Sequence, residues 1–158
     1  FADCLADTLG RDERDYPGAG AAGGMGFAAR ALLNAELRPG IELVMDQANF
    51  DKALADSDLV ITGEGQLDGQ SLAGKTPIGI ARRARAHGVP TVVLAGRLGE
   101  GWQAAHDEGV CAALALADGP MSLDEALARC GELLAERAEA VARLMVLSRP
   151  EPRVSSPP

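Results

Sequence analysis

From Asp58 onward the chain alternates short apolar, β-branched runs with segments of helix length, and this alternation limits the possible folds more than any other feature. Leu59 to Thr62, Thr91 to Leu94 and Val110 to Leu116 read as strands. Pro77 to His87, stopped by Gly88, and Gly101 to Glu108, stopped by Gly109, read as the helices between them. Strands joined by helices of this length imply crossover connections, hence a parallel sheet covered on both faces and an α/β fold class. A last helix starts at Ser122, which forms a capping box with Glu125; Leu127, Cys130, Leu134, Val141 and Met145 then keep one face apolar.

Upstream the pattern is less regular. Phe1, Leu5 and Leu9 share one face of an opening helix, and a charged turn follows from Arg11 to Asp15. Phe27 to Leu37 reads as a helix stopped by Pro39-Gly40, Ile41 to Met45 as a strand ending at Asp46, and Phe50 to Ala55 as a short helix. Residues 149–158 hold four prolines and almost nothing to bury, so a disordered tail is expected there. The chain opens on Phe1, already in a helical pattern, and reads as a fragment of a longer protein.

With 23 acidic against 15 basic residues the net charge is −8, which argues against a general nucleic-acid or anionic-membrane surface. No apolar run reaches the length of a membrane span, and the expected compartment is the cytoplasm. Cys4, Cys111 and Cys130 lack ligand spacing, which favours buried or incidental thiols over a disulfide framework or a zinc site.

The chemistry concentrates after the first strand. Glu64 and Asp68 flank Gly65 in a stretch dense in glycine, at the carboxyl end of that strand, where open parallel sheets bind ligands. Either carboxylate suits Mg²⁺ or the proton of an attacking hydroxyl; capping a turn is the plainer role for both. Lys75, one of only two lysines, stands at the threshold of the next helix, where a compact ammonium suits a phosphate oxygen and a solvated surface lysine is the alternative. Arg97, just past the second strand, is within reach of a carboxylate or phosphate at the same edge, with surface solvation the simpler reading.

Two glycine patterns point to nucleotides less directly. Gly18, Gly20 and Gly23 match the dinucleotide pattern but follow no strand, leaving a packing turn or a phosphate-cradling loop. Gly69 to Thr76 matches the P-loop pattern, yet six residues separate Thr62 from Gly69, and Pro77 sits in the first turn of the helix. His87, His106 and Trp102 read as structural, and Ser71 has no histidine near it in sequence to serve as its base.

Three blocks together resemble the class I bacterial glycerate kinases: Gly18 to Gly26, Asp58 to Asp68 with Gln70, and Gly74 to Ala81. The resemblance covers roughly Phe1 to Leu147 and implies ATP-dependent phosphorylation of D-glycerate, to 2-phosphoglycerate, with Mg²⁺. It also implies a Rossmann-like parallel sheet with flanking helices, completed here by residues 53–148 and preceded, over residues 1–52, by the end of a second, inserted α/β domain. The active cleft would lie between the two domains. On that analogy Glu64 and Asp68 hold Mg²⁺ or act as base, and Lys75 meets phosphate or the glycerate carboxylate. Gly63, Gly65 and Gly74 bring backbone N–H groups to the anion, while Gly20, Gly23 and Gly24 line the opposite wall. Two departures matter: family members commonly carry arginine where Gln66 stands, and they are more than twice as long, so the N-terminal half of the same protein is an expected partner. Without that half, exposed strand edges make a homodimer a further expectation.

Overall fold

The computed structural model describes residues 1–73 and 75–148. Gly74 and the expected tail at 149–158 lie outside the described residues. The chain divides into two compact units, Phe1–Leu43 and Val44–Pro158. The division expected at 52/53 falls further along, inside a helix of the second unit.

The first unit is helical: α1 (Ala2–Leu9), α2 (Ala21–Leu33) and the start of α3 (Gly40–Gln47). Its small core joins Ala19, Phe27 and Ala31 to Ala2 and Leu5, with Phe1 edge-on to Phe27 at 5.9 Å between ring centroids. Arg30 is held by Glu13 at 2.8 Å and lies over the Tyr16 ring at 3.5 Å. The glycine-rich stretch is a packing device: a Cβ on Gly26 would collide with the Gly18 carbonyl. No strand precedes it among the described residues, so the dinucleotide pattern lacks its required context.

Ile41 to Met45 is helical, within α3, rather than a strand. A five-residue apolar run fits either element, and here Pro39 offers its carbonyl to Glu42 and Leu43 N–H groups, which starts a helix with an acidic first turn.

The second unit carries α4 (Phe50–Ala55), β1 (Val60–Leu67), α5 (Thr76–Ala86), β2 (Thr91–Leu98), β3 (Val110–Ala115), α6 (Leu123–Ala128) and α7 (Cys130–Ser148). The three strands form one parallel sheet in the order β1-β2-β3. On one face Ile78 and Ala81 of α5 pack on Val93, Ala95 and Leu67; on the other, Leu133 and Val141 of α7 pack on Val92 and Leu94. The α/β class and two-faced covering match the alternation in the sequence. Among the described residues no helix is long and apolar enough to cross a membrane.

Three details differ from the sequence pattern. β1 and β2 run past their β-branched cores to Leu67 and Leu98, so Gly63, Glu64, Gly65 and Gln66 belong to a strand, not a loop. Glycine is tolerated there because the two strands approach closely; a Cβ on Gly96 would stand 2.6 Å from the Gly65 carbonyl oxygen. Gly96→Ala is expected to destabilise the unit by about 1–3 kcal/mol, read from the urea midpoint, and an unchanged midpoint would refute the close packing.

The segment expected as a helix from Gly101 to Glu108 is a single 3₁₀ turn, Trp102–His106, bounded by left-handed Gly101 and Gly109. The last helix breaks at Arg129, although Ser122 does accept the Glu125 N–H at 3.2 Å. That break shifts the phase: Leu133 and Val141 are buried, whereas Leu127, Leu134 and Cys130 are exposed. Cys4 and Cys111 are exposed too, and all three thiols are free.

Candidate functional site

The carboxyl end of β1 leads directly into a five-residue 3₁₀ turn, Gly69–Ala73, and then into α5. Asp68 occupies the junction and is locked to Ser71 in both directions. The Asp68 N–H donates to Ser71 Oγ at 3.1 Å, and the Ser71 N–H donates to Asp68 Oδ1 at 3.0 Å. Ser71 Oγ also lies 3.0 Å from Oδ1 and is fully buried. This is reciprocal capping, with the Asp-x-x-Ser spacing as its sequence signature. Ser71, with no histidine near it in sequence to act as its base, serves here as the partner of a turn.

The remaining oxygen of Asp68, Oδ2, accepts from Gln66 Nε2 at 2.7 Å, and Lys75 Nζ stands 3.9 Å from Oδ1. The Gln66 hydrogen bond, followed by those from Ser71 and the charge of Lys75, holds the Asp68 carboxyl below the usual aspartate range. Asp68 therefore stays ionised while capping its turn. Ser71→Ala leaves the part-buried Asp68 N–H without its partner and takes from Oδ1 the hydroxyl donor while the residue-71 N–H remains, and it is expected to cost about 1–2 kcal/mol of unfolding free energy by urea titration. An unaltered midpoint would remove Ser71 as the anchor.

Glu64 is half-buried on β1, opposite Ala95, with its Oε1 3.3 Å from the Gly65 N–H. Gly63 pairs with Leu94, so Gly63 and Gly65 serve the sheet and not an open anion loop. Lys75 directly precedes α5 in an extended conformation with its side chain 45% exposed, and Pro77 fills the first turn without disturbing it. Gln66, Asp68, Gly69, Gln70, Arg97 and Glu100 line an open groove of about 490 Å³ at this edge. Gly20, Gly23 and Gly24 belong to the first unit, where Gly23 and Gly24 have left-handed backbones with open space beside them.

The P-loop match gains and loses by this geometry. Since β1 ends at Leu67, its first glycine follows a strand closely after all. The loop itself is closed, however. Gly69 N–H donates to the Glu100 carbonyl, Ser71 N–H to Asp68 and Lys75 N–H to the Ser71 carbonyl, while Leu72 packs into the core. A phosphate cradle needs such N–H groups pointing at the ligand, and these three are engaged.

Among the described residues, no group of three or more His, Cys, Asp and Glu side chains converges on a metal position. Glu64 on β1 and Asp68 just past its end are hard oxygen donors of the type Mg²⁺ takes, but four residues of extended chain, roughly 13 Å by strand rise, separate them, too far to bind one ion directly together. The histidines are structural: His87 Nε2 lies 3.1 Å from Asp51, which also binds Arg83 on two sides, and His106 Nδ1 is 2.7 Å from the Val110 carbonyl.

Comparison with known proteins gives this cluster a context. The chain is 46% identical over 142 residues to a glycerate kinase of Halalkalibacterium halodurans, covering 90% of this chain and 37% of that protein. It is 43% identical over 126 residues to the glycerate 2-kinase of Escherichia coli, covering 80% and 33%. A solved structure described as glycerate kinase 2 from Salmonella typhimurium LT2 superimposes with a TM-score of 0.69 at 38% identity, over 92% of this chain and 37% of that one. The chain thus spans little more than a third of the length of the relatives it matches. The model of the glycerate kinase family matches residues 1–146, and the chain belongs to that family.

Proposed function

We propose that this chain forms part of a glycerate kinase that transfers the γ-phosphoryl group of ATP to a hydroxyl of D-glycerate. The observation that carries the reading is the Asp68–Lys75 pair, held between the end of β1 and the start of α5 by Gln66 and Ser71. Phosphoryl transfer asks for positioning and charge neutralisation, and this cluster supplies both without a nucleophile pair. The name of the Escherichia coli relative favours the 2-hydroxyl, giving 2-phosphoglycerate.

In this reading the Lys75 ammonium receives a phosphate, with the positive end of the α5 dipole behind it. Mg²⁺, if bound, would take Asp68 as its protein carboxylate and would supply neutralising charge to the phosphates. The depressed pKa of Asp68 suits a carboxylate that remains ionised beside cations. Glu64 is then the group placed to take the proton of the attacking hydroxyl, as the new P–O bond forms and ADP departs with the electrons of the old one.

A coupled ADP-release assay on the longest natural polypeptide containing this chain tests the proposal, with the phosphorylated carbon assigned by ³¹P NMR. ADP release that requires both D-glycerate and Mg²⁺ is the expected result; release no faster than without glycerate overturns it. For the 158 residues alone we propose a non-catalytic piece, because β1 is an outer strand with Ile61 47% exposed and its outer edge open to pairing with the remainder of the protein or a second copy. Robust turnover by this chain in isolation would remove that reading.

A further inference from the structure

We propose that Arg97 is the substrate-carboxylate residue of this site, an assignment that rests on the glycerate kinase reading and adds a specificity determinant to it. The first observation is an omission. Among the described residues, Arg97 is the one arginine with neither a hydrogen bond nor an ion pair. Its neighbours in the second unit are all engaged: Arg82 with Glu108, Arg83 with Asp51, Arg85 with the Asp107 carbonyl, Arg137 with the Leu116 carbonyl. In a chain with 23 acidic and 15 basic residues, carboxylate partners are in excess. A guanidinium left open under those conditions is available to an anion from outside.

The second observation is its position. Arg97 pairs in register with Gln66 across β1 and β2, so the two residues sit side by side at the carboxyl end of the parallel sheet. It lines the same groove as Gln66 and Asp68. Among the described residues, Glu100 is the other charged residue besides Asp68 that lines that groove, and it makes no ion pair with Arg97. Asp68 and Glu100 would repel a carboxylate placed near them, so the anionic end of a ligand has one cationic place in the groove to occupy.

The third observation divides labour between the two cations. Lys75 is a point charge immediately before α5, already 3.9 Å from Asp68, a placement that suits a phosphate oxygen. The guanidinium of Arg97 is a planar fork whose paired N–H groups match the two oxygens of a carboxylate. A small hydroxy acid bound to Arg97 through its carboxylate would share the groove with Asp68. Arg97 then selects the acid over its uncharged analogues and fixes which end of the molecule faces the phosphate.

Two readouts separate this assignment from the reading beneath it. Binding of D-glycerate to nucleotide-free protein, by isothermal titration calorimetry on the longest natural polypeptide containing the chain, requires no turnover. Arg97→Met is expected to weaken that binding at least tenfold and Arg97→Lys by less. Steady-state kinetics should show the KM for glycerate raised to a similar extent, the KM for ATP within twofold, and the preference for glycerate over glyceramide lost. Arg97 is exposed, so both variants should keep the wild-type melting temperature.

Wild-type turnover together with unchanged glycerate binding and KM in Arg97→Met overturns the assignment and leaves the kinase reading intact. A raised KM for ATP with an unchanged KM for glycerate also overturns it, since the arginine would then be holding phosphate. Binding that depends on Arg97 in a protein without glycerate-dependent ADP release supports the assignment and sinks the kinase reading. A wild-type protein that neither binds nor phosphorylates glycerate overturns both.

Discussion

Lys75→Met should lower kcat by about 10²–10³-fold in the longest natural polypeptide containing this chain, with little change in its melting temperature. The methionine preserves the length and apolar stem of the side chain and removes only the ammonium. That charge is 45% exposed and, among the described residues, makes one long contact of 3.9 Å to Asp68, so the fold loses little when it goes. Its value lies in facing developing negative charge on the transferred phosphoryl group, where an interaction that strengthens in the transition state lowers kcat when removed. Lys75→Arg is expected to recover only part of the rate, because the planar fork does not reproduce a compact charge. The measurement is kcat and the two KM values for the wild-type protein and both variants. A Lys75→Met enzyme turning over at near wild-type rate would remove the residue from the phosphate site; a lowered melting temperature would show it to be structural.

The outline of the second unit was legible because β-branched runs such as Thr91 to Leu94 and helix stops such as Gly88 act locally. What escaped were features set by pairing. Nothing in Gly63-Glu64-Gly65-Gln66 favours a strand, and it becomes one because β2 lies alongside and the Gly96–Gly65 approach admits no side chain. The same limit explains Ile41 to Met45, a run too short for periodicity to separate helix from strand. At the site, Asp68 and Lys75 were identified by residue type and are adjacent in space. Gln66, Ser71 and Arg97 gain their meaning from partners, or from the lack of one, and sequence spacing shows that only for the Asp-x-x-Ser cap. Gly20, Gly23 and Gly24 remain candidates from the resemblance alone.

The clearest separation of structure from chemistry should come from Asp68. Asparagine keeps an oxygen where Oδ1 accepts the Ser71 N–H, so the turn remains capped, whereas alanine removes that acceptor and leaves only the residue-68 N–H donating to Ser71 Oγ. Asp68→Asn does replace the oxygen that accepts from Gln66 with an NH₂ group, and the Gln66 amide must flip to present its own oxygen. We therefore expect Asp68→Ala to lower the melting temperature by roughly 3–5 °C and Asp68→Asn by clearly less. Both should lose about 10²–10³-fold in kcat/KM, because both remove the charge beside Lys75 and the proposed Mg²⁺ position. The pH dependence supplies an independent check. The folded-state pKa of Asp68 is depressed, first by Gln66 and then by Ser71, so its ionised form stabilises the fold above about pH 4. That contribution disappears as the pH falls through the folded-state pKa. The melting-temperature gap between the wild-type protein and Asp68→Asn should accordingly narrow as the pH is lowered from 6 to 3. A gap that stays constant over that range would mean the cluster does not hold an ionised carboxylate, and the division of roles between Asp68 and Glu64 would fall with it.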